Sequence, residues 1–137
     1  MAIRLEKGEN RKLDLNVFHV GLGWDVNNNT GEDFDLDVSA FMITESGKIL
    51  SDDYLVFYNS EKRVRPTNLS KIVLDTEFSS NESMRKESRP VSPDFSVIGS
   101  IDDEDGKTSE DGDDEIMDIN LDKVNPKISE IVICVSI

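Results

Sequence analysis

Hydrophobic residues recur at every second position in a series of short runs along the chain. "AIRLE" (2–6), "KLDLNVFHV" (12–20), "DFDLDVSAFMI" (33–43), "DYLVFY" (53–58), "DEIMDINL" (114–121) and "SEIVICVSI" (129–137) all show it. A period of two places alternate side chains on opposite faces of a β-strand, and the lengths suit ordinary strands. "KGEN", "NNNTGED", "ESGK" and "NPK" separate the runs with Gly, Asn, Asp and Pro, the residues that tight turns require. No window repeats apolar residues at helical spacing between two caps. "LDKVNPKI" predicts at most one helical or 3₁₀ turn before Pro126. The pattern predicts an all-β domain, an antiparallel β-sandwich with long acidic loops.

Residues 60–93 break this rhythm. Seven cations (Lys62, Arg63, Arg65, Lys71, Arg85, Lys86, Arg89) stand against five anions, in a chain that is otherwise acidic. "LSKIVLDTEF" has the composition of a strand or hairpin arm. The flanks, rich in Ser, Asn, Arg and Pro, read as a partly flexible insertion. Two roles fit such a segment: a tolerated surface insertion, or a basic patch that recruits an acidic partner.

At 137 residues the chain is long enough for one domain with one core, 1–137. Its formal net charge of −14 argues against nucleic acid or an anionic membrane surface as the main partner, and makes cations the natural one. The lone cysteine, Cys134, has no intrachain disulfide partner, and its alternating run reads as a small core position. The first ten residues carry charge and no apolar leader, and no run has the length of a membrane span, so a cytoplasmic setting is expected.

Charge also changes the meaning of the alternation. Asp33, Asp35 and Asp37 share one face of the expected strand. Neighbouring carboxylates in such a row repel by about 1 kcal/mol in water and more beside a low-dielectric surface. A second acidic stretch, 102–118, holds ten acids and one cation, Lys107. Glycines punctuate both stretches. Ca²⁺ takes about six to eight oxygen ligands, and two Asp- and Gly-rich loops on one small β-domain have enough of them. The loops are not EF-hands: Gly106 or Gly112 at position six puts Ile101 or Lys107 at position one, and "DVNNNTG" has Thr30 where Gly is required. Zinc lacks ligands, with one His and one Cys. The spacing alone leaves two readings open, a Ca²⁺ site and a solvated acidic surface.

Catalysis has little to build on. His19 lies in an apolar run with no Ser or Cys motif beside it. "GLGWD" lacks the third glycine and the following helix of a dinucleotide site. Trp24 alone does not make a sugar-binding cleft.

"VGLGWD" (20–25), "DFDLDVSAF" (33–41), "FYN" (57–59), "SPDFSV" (92–97), "DGDDE" (111–115) and the closing "INLDKVNPKISEIVICVSI" occur in an order that resembles the TerD family of tellurium-resistance and stress proteins. The resemblance covers most of the chain outside the insertion. It implies a cytoplasmic Ca²⁺-binding β-sandwich with a role in resistance to tellurite and other stresses and without an established enzymatic activity. Carried over by position, it implies Asp25 of "GWD", Asp35 and Asp37 of "DLD", Asn59 after "FY", Asp102, and Asp113, Asp114 and Glu115 of "DDE" as metal-site residues. Asp33 matches a more variable position and reads as a bystander.

The chain departs from the pattern in places. Ile101 and Asp103 replace the usual Gly and Asn around Asp102, and Phe95 stands where the family usually has Gly. The stretch between Leu13 and Val17 is short. The family's domain usually continues beyond the position of Ile137, so the chain is either a truncated relative or part of a longer protein. Missing strands leave an open sheet edge or apolar face, for which two covers are open, the inserted "LSKIVLDTEF" and a second subunit in a homo-oligomer.

The leading expectation is therefore a non-catalytic Ca²⁺-binding module of a tellurium-resistance or stress-response system that contacts other proteins of that system. The alternative is a structural or interaction protein with degenerate metal sites, which binds partners through the basic insertion and open edges. An enzyme acting on a tellurium oxyanion fits least, because acidic loops repel anions.

Overall fold

The computed structural model of the protein describes residues 3–23, 36–73, 82–101 and 115–136. The described strands are β1 (Val17–Leu22), β2 (Asp37–Thr44), β3 (Leu55–Val56), β4 (Arg63–Arg65), β5 (Asn68–Val73), β6 (Arg89–Pro90), β7 (Val97–Ile98), β8 (Glu115–Asn120) and β9 (Ile128–Ser136). One five-residue helix, α1 (Glu82–Lys86), and 3₁₀ turns at Asp52–Tyr54 and Leu121–Lys123 complete the described elements. The strands form three sheets, ordered β1-β8-β7, β3-β2-β9 and β5-β4-β6. All pairings are antiparallel. The protein is all-β, as the period of two predicts.

The alternation in β2 and β8 builds the core. Val38, Ala40 and Met42 of β2 are buried, and so are Glu115, Met117 and Ile119 of β8. Apart from Glu115 these residues join Tyr54, Val56 and Val97 in one cluster shared by the first two sheets. Burying an aliphatic side chain of this size contributes roughly 1.5–3 kcal/mol, so these rows fix the strand register. In β9, Ile131 and Ile133 pack against the core, opposite Met42 and Ala40, while Val135, opposite Val38, is exposed. Cys134 lies on the other face, opposite Ser39, and is half-buried. The expectation of a core cysteine is thus corrected. The strand carries apolar residues on both faces, so its composition did not reveal which face turns inward.

β1 and β9 are each an outer strand of their sheet. Between them lies an apolar cleft of about 450 Å³, lined by Phe18 and Val20 of β1 and by Ile128, Ile131 and Ile133 of β9.

Two expected strands are shorter or missing. Residues 3–6 are irregular, with Leu5 59% exposed, and the run 12–20 becomes strand only from Val17. Alternation suits a strand but does not supply the neighbour that its backbone must pair with.

Within 60–93, β4 pairs on both sides, with β5 and β6, and its Val64 packs in the interior. β5 covers the first part of the predicted "LSKIVLDTEF" arm. Arg63, read from sequence as one charge of a basic segment, is only 1% exposed. Its Nε donates to Ser88 Oγ (2.6 Å), Nη1 to the carbonyls of Tyr58 (2.9 Å) and Ser60 (3.3 Å), and Nη2 to those of Arg85 (3.3 Å) and Ser88 (3.1 Å). The planar guanidinium, with five donors, suits a ring of carbonyls in a way that no lysine does. The small sheet joins the β1-β8-β7 sheet through the N–H of Gly99, just after β7, on the Pro90 carbonyl (2.8 Å) and through Arg89, whose Nη2 lies 2.7 Å from Oδ2 of Asp118 in β8.

Candidate functional site

Glu115 opens β8 and pairs with Leu22, the last residue of β1. It shares the inward row with Met117 and Ile119 and is 5% exposed. A carboxylate buried this far needs compensating donors. One is the backbone N–H of Val38, 2.9 Å from Glu115 Oε2. Val38 is the second residue of β2, so the bond crosses from one sheet to the other. The end of β1, the start of β2 and the start of β8 are thereby held together at one end of the domain.

These three points border the acidic stretches. Gly23 leads out of β1 toward Asp25. Leu36 and Asp37 lead into β2 from the 25–37 stretch. Glu115 lies within the second stretch, 102–118. Asp37 is half-buried and sits directly before the amide that Glu115 holds. Asp25, Asp35, Asp102, Asp113 and Asp114 lie outside the described residues. Asn59 is exposed, in the turn closed by the Ser60 N–H on the Phe57 carbonyl (3.0 Å), and its Oδ1 accepts from Arg85 Nη1 (3.1 Å).

Of the eight sequence candidates the described structure therefore joins the Asp37–Val38 start of β2 to Glu115, and sets Asn59 against a guanidinium. Among the described residues no three His, Cys, Asp or Glu side chains come close enough to hold a metal by themselves. The candidates are all hard oxygen donors, which in kind fit Ca²⁺ and not a soft metal. His19 is exposed on β1, opposite Asp118.

Sequence reasoning missed a second polar centre. Asp94 Oδ1 accepts from the Ser92 hydroxyl (2.6 Å) and from the N–H (3.0 Å) and hydroxyl (2.6 Å) of Ser96. Its Oδ2 accepts from the Asn125 N–H (2.9 Å), and the Asn125 side-chain amide donates to the Tyr54 hydroxyl (3.2 Å). Burial pushes the Asp94 carboxyl up, but the Ser92, Ser96 and Asn125 hydrogen bonds outweigh it and hold the group below its ordinary value. The available signal was "SPDFS", with a hydroxyl two residues on either side of an aspartate, the composition of a side-chain-closed turn.

The order of motifs that surrounds this geometry is that of a known family. A family model for the TerD domain matches residues 1–137. The chain belongs to the TerD family. The tellurium resistance protein TerD of Serratia marcescens is 34% identical over 143 residues, which takes in 100% of this chain and 58% of that protein. The protein of the same name from an Alcaligenes species gives the same identity and coverage. General stress protein 16U of Bacillus subtilis is 43% identical over 67 residues, 43% of this chain and 34% of that protein. The chain thus spans about three-fifths of the length of the TerD proteins it matches. The match takes in the small sheet of 60–93, so that segment lies within the TerD match rather than outside it. No helix among the described residues is long and apolar enough to cross a membrane.

Proposed function

We propose that this TerD-family chain is a cytoplasmic, non-catalytic Ca²⁺-binding module of a tellurium-resistance or stress-response system, acting through metal-dependent contacts with other proteins. Asp25, Asp35, Asp37, Asp102, Asp113 and Asp114 are the proposed ion-facing carboxylates, with Asn59 and Glu115 at the margin of the set. The observation that carries the reading is the Glu115–Val38 hydrogen bond. Together with the Leu22–Glu115 pair, it brings the borders of both acidic stretches to one end of the domain. Bound Ca²⁺ would neutralise carboxylates that otherwise repel one another, and would stabilise the fold by linkage, about 2.7 kcal/mol at a hundredfold excess over Kd. The test is thermal unfolding in Ca²⁺ and in chelator, for the native chain and for Asp35→Asn and Asp114→Asn. The reading expects a higher Tm in Ca²⁺ and a smaller rise in the variants. Identical curves for the native chain in Ca²⁺ and chelator contradict it.

One observation favours a second reading, an interaction protein with degenerate metal sites: the apolar cleft between the outer strands β1 and β9. In that reading a second copy of the chain covers the cleft. Sedimentation equilibrium that finds a monomer across micromolar concentrations counts against it.

A further inference from the structure

We propose that Glu115 is a positioning residue that sets Asp37, at the start of β2, against the start of β8, and that it does so by reach rather than by charge. The inference rests on the Ca²⁺ reading above and goes beyond it by removing one carboxylate from the ligand set. Three observations carry it. The Glu115 side chain belongs to the inward row of β8, with Met117 and Ile119, and is almost fully buried. Its Oε2 is 2.9 Å from the Val38 N–H, a bond between residues 77 positions apart that lie in different sheets. Asp37, a proposed ligand, is covalently joined to the amide so held. Moving Val38 moves Asp37, so the bond fixes the Asp37 end of the first stretch relative to β8, where the second stretch ends. β3 pairs with β2 at Ala40 and Phe41, beyond this point, so at Val38 a side chain from the other sheet adds to the hold of the β2–β9 ladder.

The function needs an acceptor oxygen at the end of a side chain of glutamate's length. Glutamine provides one without charge. Aspartate keeps the charge but is one methylene short. The experiment compares Glu115→Gln, Glu115→Asp and Glu115→Ala in the full chain by two readouts: hydrogen exchange of the Val38 amide in chelator, and calorimetric Ca²⁺ affinity. Reach predicts that Glu115→Gln keeps Val38 protection and Ca²⁺ affinity within about threefold of native. It predicts that Glu115→Asp and Glu115→Ala speed Val38 exchange by about tenfold, the scale of one lost hydrogen bond, and weaken Ca²⁺ binding together. The reverse order overturns the proposal: Glu115→Asp binding Ca²⁺ as the native chain does, with Glu115→Gln losing it, makes Glu115 a charged ligand. If the native chain binds no Ca²⁺, the reading beneath the proposal fails. The Val38 exchange rates in chelator then still decide whether Glu115 clasps the sheets.

Discussion

The Asp94 carboxylate accepts a hydrogen bond from the backbone N–H of Asn125, 2.9 Å away and 31 positions further along the chain. It fastens the loop before β7 to the turn before β9, and through Asn125 to Tyr54 of the core. The donors aimed at its two oxygens favour the ionised form, which holds the carboxyl below its ordinary value despite burial. A depressed folded-state pKa contributes stability above the unfolded value, near 3.9, and loses it as pH falls through the folded value. The native chain should therefore lose stability on acidification below about pH 4 more steeply than Asp94→Asn. At neutral pH, Asp94→Ala should cost about 1–3 kcal/mol, read from urea denaturation midpoints. Parallel acid-unfolding curves for native and Asp94→Asn would remove Asp94 from this role.

Phe95, the next residue, has φ +62°, the left-handed region where a Cβ is disfavoured by about 1–2 kcal/mol. Elsewhere Ala is more stabilising than Gly by about 0.5–1 kcal/mol. At position 95 the order should reverse, with Phe95→Gly unfolding at a higher denaturant concentration than Phe95→Ala. The pair cancels the loss of the phenyl ring, common to both. Ala above Gly would mean that the turn is not held in this conformation.

Arg63 joins the Phe57–Ser60 turn to the end of α1. Lysine at this site has three donors and no planar fork, and it leaves carbonyls in the interior without partners. Arg63→Lys should destabilise the chain by roughly 2 kcal/mol or more. A cost as small as that of Arg65→Lys, an exposed neighbour, would contradict the structural role.

Gly99 packs against β6, where an added Cβ would lie 2.7 Å from Pro90 Cγ. The Gly99 N–H and carbonyl are also bonded, to the Pro90 carbonyl and Arg89 Nε. Gly99→Ala should therefore part β6 from β7 and cost about 1–3 kcal/mol in thermal unfolding, whereas Gly47→Ala meets no atom and pays only for its positive φ.

How legible these features were follows from the range of the interactions behind them. β2, β8 and β9 stand where alternation predicts them, but only in β2 and β8 does local apolar periodicity also decide which row faces inward. Run 12–20 was overextended because alternation continues past the point where β8 pairs with it, at Val17 opposite Asn120. β4, β6 and β7 are two or three residues long, too short for any period to register. Arg63 reads as surface charge until its carbonyl partners are assembled from residues up to 25 positions away. The candidate site divides the same way. Acidic clustering and motif order singled out Glu115 and Asp37. Neither could reveal that Glu115 faces the core and reaches Val38, because that depends on which sheet lies over β8.

The central claim is that the acidic end of the domain binds Ca²⁺, and isothermal calorimetry of the full chain tests it most directly. The account predicts a saturable Ca²⁺ heat that Asp35→Asn or Asp114→Asn weakens by about tenfold or more, equivalent to ~1.4 kcal/mol. A folded chain that gives no saturable heat with Ca²⁺, or equal affinity in the native chain and both variants, would contradict it.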